Sequence, residues 1–118
     1  MPGRMLNRAF AMIALAWATA AAAGPHGAQG FTLVNGTTGA LGEVSIRRAG
    51  SADWKPLGAS PVAGARGPVQ FNDPDCAFDI RASVGGGPVT WAGVNLCDVK
   101  SVTLRKDDNA GAWVDYDQ

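Results

Sequence analysis

The chain has 118 residues, 47% of them hydrophobic, and its ten basic and ten acidic side chains cancel to no net charge. That length allows a single domain with a thin core. Basic residues cluster only at Arg47-Arg48 and Arg105-Lys106, which excludes the broad cationic face that nucleic-acid binding requires.

In chain order the first element is a targeting segment. Arg4 and Arg8 precede a stretch of 15 uncharged residues, Ala9 to Ala23, that ends in small side chains at Ala21 and Ala23. A basic start, a short apolar run and a small-residue cleavage site predict a signal peptide over residues 1–23. The run is shorter than the roughly 20 residues that span a bilayer, and no later stretch is apolar enough to span. The mature chain is therefore expected to carry no transmembrane segment and to work in the periplasm or outside the cell. Cleavage after Ala23 leaves 95 residues with eight basic and ten acidic groups, a net charge of −2. Residues 24–30 read as a flexible leader, with a cut after Gly30 as the alternative.

Residues 31–106 read as strands and turns. Phe31-Thr32-Leu33-Val34 alternates, and Asn35-Gly36-Thr37-Thr38-Gly39 is turn chemistry. Leu41 to Arg48 alternates again, with Val44 and Ile46 inward and Ser45 and Arg47 outward. Asp53-Trp54-Lys55-Pro56-Leu57 reads as an edge strand, because Pro56 lacks a ladder donor. Ala59–Gly67 is a loop, and Pro68-Val69-Gln70-Phe71 a short strand. Asn72-Asp73-Pro74-Asp75 is a turn. Cys76 to Ala82 follows, with Cys76, Phe78, Ile80 and Ala82 on one face and Asp79 and Arg81 as a solvated pair on the other. Gly85-Gly86-Gly87 turns the chain into Val89–Val94, where Trp91 reads as core. Val99–Arg105 is the last strand, and residues 107–118 read as a polar C-terminal tail.

About seven short strands with turns every 8–12 residues predict an all-β fold, a small antiparallel β-sandwich of Ig-like or Greek-key outline. A closed small barrel is the alternative. In an oxidising compartment the only two cysteines, Cys76 and Cys97, read as one disulfide. It closes a loop of about 20 residues and contributes about 3 kcal/mol in the chain-entropy model.

Phe31-Thr32-Leu33-Val34-Asn35-Gly36-Thr37, then Cys76-Ala77-Phe78-Asp79-Ile80-Arg81, then Leu96-Cys97 form an ordered set of motifs. This order resembles an uncharacterised family of small exported bacterial β-proteins with an F-x-L-x-N-x-T start and a C-x-F-D-I/L-R … L-C cysteine pair. The resemblance covers about residues 31–105. It implies a disulfide-linked β-domain outside the cytoplasm and implies no activity. Family members carry D-D-W before the central Trp, whereas this chain has Ala52-Asp53-Trp54.

The chemistry-bearing residues are few. The only histidine, His26, lies in the leader, and Glu43 is the only glutamate, so no catalytic residues are assigned and no enzyme is expected. Asp73, Asp75 and Asp98, with Asn72, form the one candidate metal set. A Cys76–Cys97 bridge would bring Asp75 and Asp98 into one neighbourhood, and calcium favours several oxygens. No other cofactor is expected. Trp54, beside Lys55 on the presumed edge, is the candidate for stacking on a sugar ring. Asn35-Gly36-Thr37 matches a glycosylation acceptor that an Asn-Gly hairpin turn explains without modification. Together these residues predict a non-catalytic exported β-module that binds a protein or glycan in the cell envelope or outside the cell. A carbohydrate- or calcium-binding domain is one alternative. A small inhibitor of a secreted enzyme or toxin, presenting Ala59–Gly67 and Gly85–Pro88, is another.

Overall fold

The computed structural model describes residues 27–118, so the expected signal peptide (1–23) and His26 lie outside the described residues. All regular structure among the described residues is strand. Eight strands run in chain order: β1 (Ala28–Asn35), β2 (Leu41–Arg48), β3 (Lys55–Pro56), β4 (Arg66–Asp73), β5 (Ala77–Val84), β6 (Gly87–Asn95), β7 (Ser101–Asp107) and β8 (Gly111–Asp117). They form two four-stranded sheets, β4-β1-β7-β8 and β3-β2-β5-β6. The fold is a small β-sandwich, and the two hydrogen-bonded ladders stay separate rather than closing into a barrel. No helix among the described residues is long and apolar enough to cross a membrane.

Both sheets contribute to one core. Phe31 and Leu33 of β1, Val102 and Leu104 of β7, Ile46 of β2, Ile80 of β5 and Trp91 of β6 are buried together. Each such side chain contributes about 1.5–3 kcal/mol by leaving water. Phe71 of β4 meets Phe78 of the opposite sheet edge-on, with ring centroids 5.2 Å apart. The Trp91 indole N–H donates to the Arg105 carbonyl at 2.8 Å and ties β6 to β7. On the same side the Asn95 N–H donates to the Tyr116 hydroxyl at 2.9 Å.

Simple alternation breaks at three places, each a register shift. Ala28 and Phe31, Leu41 and Val44, and Trp91 and Val94 are buried although each pair is three residues apart. At Leu41–Val44 and Trp91–Val94 an extra residue on the strand restores the inward phase, which is what a β-bulge does, whereas beside Ala28–Phe31 the extra residue lies on β4, where Val69 to Asn72 spans three steps against two from Gln29 to Phe31. The bulges fall on β4 opposite Gln29–Phe31, on β2 between Gly42 and Ser45, and on β6 opposite Asp79. Glu43 and Gly93 take positive φ angles there, +48° and +66°.

Three expectations are corrected by the topology. First, the sandwich is not wholly antiparallel: β1 pairs with β7 in parallel, from Thr32↔Ser101 to Asn35↔Leu104. β7 reaches its sheet from β6 in the other sheet, so no tight hairpin imposes opposite directions. Second, the chain after Lys106 is not a tail. Gly111–Asp117 forms β8, an edge strand paired with β7 along its whole length. Its turn is built by Asp107, whose carboxylate accepts the N–H groups of Asn109 and Ala110 at 2.7 and 3.2 Å. Those two donors hold the Asp107 carboxyl below its ordinary pKa. Third, the leader assigned to residues 24–30 overlaps β1, which begins at Ala28.

The disulfide is present: Cys76 and Cys97 are bonded across a separation of 21 residues with Cα atoms 5.1 Å apart. It clips the entry of β5 to the exit of β6, where the Leu96 N–H also donates to the Cys76 carbonyl at 2.9 Å. The β5–β6 hairpin turns through Gly85 and Gly86, both at positive φ (+61° and +87°), so two residues suffice.

Asn35-Gly36 is not a hairpin turn, because the strands it joins, β1 and β2, belong to different sheets. Asn35 is instead a fully buried knot. Its amide donates to the carbonyls of Gly39 and Pro61 at 2.8 and 2.9 Å, and its Oδ1 accepts the Thr37 N–H at 2.9 Å. Its backbone accepts from Gly64 and donates to Ala65, both at 2.8–2.9 Å. Burial rather than turn geometry takes this amide out of contention as a modification site.

Candidate functional site

A cleft of about 470 Å³ opens where β2, β4 and β5 approach the β2–β3 connection. Ile46, Phe71 and Phe78 give it an apolar floor, and Arg47, Arg48, Asp53, Lys55, Asn72 and Asp73 give it a charged rim. Asp73 ends β4 and turns the chain through Pro74, and its Oδ1 accepts the Asp75 N–H at 2.8 Å. Arg48, at the end of β2, reaches both carboxylates: Asp73 at 3.2 Å and Asp75 at 3.2 Å. Burial alone would push the Asp73 carboxyl up, but the Asp75 N–H and the Arg48 guanidinium outweigh it and hold the group below its ordinary value. The hydrogen bond to Asp73, then the charges of Asp73 and Asp75, push Arg48 further up.

Of the candidate metal set, Asp73 and Asp75 are therefore brought together, around a guanidinium. Asp98 sits beside Cys97 at a φ of +60°. It borders a separate depression of about 260 Å³ with Cys76, Asn95 and Gln118. Among the described residues no three His, Cys, Asp or Glu side chains converge in a way that would hold a metal ion.

The outer face of the β3-β2-β5-β6 sheet carries a second constellation. Trp54 precedes β3, the edge strand that Pro56 predicts, and lies half-buried against the face. Its ring bears two guanidinium groups: Arg81 with its central carbon 4.0 Å from the centroid, and Arg47 at 4.5 Å. A sugar stacking on Trp54 would share the indole with both. Asp79 is not the solvated partner of Arg81. It is buried, accepts Arg47 Nε at 2.9 Å and accepts the Gly93 N–H at 3.0 Å. The pairing follows from register, because Arg47 stands directly opposite Asp79 across β2 and β5. The Gly93 bond, opposed by burial and helped by Arg47, holds the Asp79 carboxyl below its ordinary value.

Register places two small hydroxyl residues on either side of Arg81: Ser45 on β2 and Thr90 on β6. Neither stood out in the sequence, since three residues on three strands share no spacing that a linear reading detects. Trp91, read as core, is core. The loop expected over Ala59–Gly67 ends at Ala65, because β4 begins at Arg66, and it is pinned by the Asn35 knot and by the Ala65 N–H donating to the Val62 carbonyl at 2.9 Å. Of Gly85–Pro88, Gly85 and Gly86 form the tight hairpin turn and Gly87 and Pro88 begin β6.

No protein-family model, curated protein or solved structure matches this chain.

Proposed function

We propose that this chain is a non-catalytic β-module, exported from the cytoplasm, that binds a partner through the outer face of the β3-β2-β5-β6 sheet. The observation that carries the reading is Arg81. It stands at the middle of a sheet face, braced on Trp54, and among the described residues no carboxylate pairs with it. A guanidinium held in place with its donor edge unspent suits recognition, since less side-chain freedom is lost when a ligand arrives.

The location is supported by the Cys76–Cys97 bridge together with the signal-like pattern of residues 1–23. A binding rather than catalytic role is supported by the state of the carboxylates at the site. Asp73 and Asp79 are both held low, hence ionised at neutral pH, whereas a general acid needs a pKa near the working pH. The calcium reading has less support, because Arg48 already supplies the positive charge between Asp73 and Asp75. The inhibitor reading also has less, because the backbone of Ala59–Gly67 is engaged internally at Pro61 and Val62.

Fractionation of cells producing the full chain, with intact-mass analysis and thiol titration of each fraction, tests the reading. The expected product is a chain lacking residues 1–23, without titratable thiols, in the exported fraction. A cytosolic product that keeps Met1 and two free thiols overturns it.

A further inference from the structure

We propose that the outer face of the β3-β2-β5-β6 sheet is a subsite for a carboxylated polysaccharide, with Arg81 taking a uronate carboxylate and Ser45 and Thr90 taking the neighbouring sugar hydroxyls. This names the ligand class of the binding module proposed above and rests on that reading.

The charge distribution singles out Arg81. Arg47 is committed to Asp79 at 2.9 Å, Arg48 to Asp73 and Asp75 at 3.2 Å, and Lys55 faces Asp53 at 3.8 Å. Arg81 shares the Trp54 ring with Arg47, so two guanidinium groups converge on one indole and a single carboxylate, Asp79, offsets them. The local excess of positive charge sits on the exposed member. Arg66 and Lys100 also have no carboxylate partner among the described residues, but Arg66 opens the edge strand β4 and Lys100 lies just ahead of β7, and neither lies over an aromatic ring as Arg81 does.

Geometry selects a carboxylate and a sugar. A guanidinium presents parallel N–H donors that match the two oxygens of a carboxylate. Arg81 lies over the Trp54 ring with its central carbon 4.0 Å from the centroid, a contact that restrains the side chain while none of its N–H donors is given to a carboxylate among the described residues. Ser45 and Thr90 sit one strand to either side in register, hence about 10 Å apart. Ser83, two residues along β5, continues the exposed hydroxyl row. Hydroxyls both donate and accept, as sugar hydroxyls do. An acidic peptide would find little here, because extended peptides add to a sheet edge where backbone groups are free, and β5 is paired on both sides.

The test is calorimetric titration of the exported, disulfide-bonded chain with polygalacturonate, with fully methyl-esterified polygalacturonate and with polyglutamate. Polygalacturonate is expected to bind, and binding is expected to weaken roughly tenfold or more on methyl esterification or in Arg81→Gln. Ser45→Ala and Thr90→Val are expected to weaken it by a few-fold each with the melting temperature unchanged. Polyglutamate is expected to bind at least tenfold more weakly than polygalacturonate. No binding of polygalacturonate, or equal binding of its methyl ester, overturns the proposal. So does an undiminished Arg81→Gln variant, or equal binding of polyglutamate, which would mean bare charge attraction. An exported chain that ignores polygalacturonate loses this ligand and keeps the module reading; a cytosolic thiol form loses both.

Discussion

Two polar regions of this molecule use similar side chains to opposite ends. At Asn35 every polar atom of the amide is paired and the residue is fully buried. At Trp54 the ring is half-buried, Arg81 is exposed, and Arg81 has no carboxylate partner among the described residues. A closed network holds a fold together, since breaking one bond strands its partner away from water. An open one costs the fold little and keeps its donors for something else. Completeness of hydrogen bonding, more than polarity, separates structural groups from candidate binding groups here.

The contrast can be broken most sharply at the knot. Asn35→Ala strips acceptors and donors from Thr37, Gly39 and Pro61 at once, and should cost about 3 kcal/mol. For a domain of this size the melting temperature should fall by roughly 10–20 °C. Gly36→Ala comes next. Its new methyl carbon would stand 2.8 Å from Thr103 Cγ2 and 2.9 Å from the Leu104 carbonyl, a backbone atom that cannot easily yield. Overpacking of this kind should cost about 2 kcal/mol, read by denaturant melts.

Asp79 lies beneath the open region and behaves like part of the knot. Its folded pKa is below its unfolded value, so its stabilisation is fully present above about pH 4 and is lost as pH falls through the lower folded value. Asp79→Asn should cost about 1.5 kcal/mol at neutral pH and flatten the acid limb of a plot of melting temperature against pH. An unchanged acid limb would remove Asp79 from that role. Trp54→Ala, which releases two guanidinium groups, should cost only about 1 kcal/mol. Arg81→Gln should sit within about 0.5 kcal/mol of wild type in the same melts. If Arg81→Gln proved as damaging as Asn35→Ala, the distinction between the two regions would fail.

Much of the strand plan was legible, and its gaps have physical causes. Phe31-Leu33 and Ile80-Ala82 alternate because one face of each strand is core, while Asp79 between Phe78 and Ile80 is buried on the other face by its bonds to Arg47 and Gly93. Pro56 marks its edge correctly, and Cys76 and Cys97 pair as an even count of two cysteines predicts. β8 is hard to read from the sequence because almost nothing in it is buried, so no contrast between inward and outward positions appears. The turn residues Asp107 to Gly111 ahead of Val114-Asp115-Tyr116-Asp117 were the signal available. The candidate site was less legible. Trp54 is legible in the sequence, but adjacency on one strand points to an Asp79–Arg81 pair. The structure gave Asp79 to Arg47 on another.

By itself the sequence determined the class of fold, the crosslink and the inward residues of most strands. Those follow from local chemistry: period-two burial, turn residues, and an even pair of thiols. Tertiary structure alone decided the parallel β1–β7 pair, the three bulges, and the meeting of Arg47, Arg81 and Trp54 on one sheet face. Register between strands distant in sequence is set by global packing, and a shift of one residue would send each of those side chains to the opposite face.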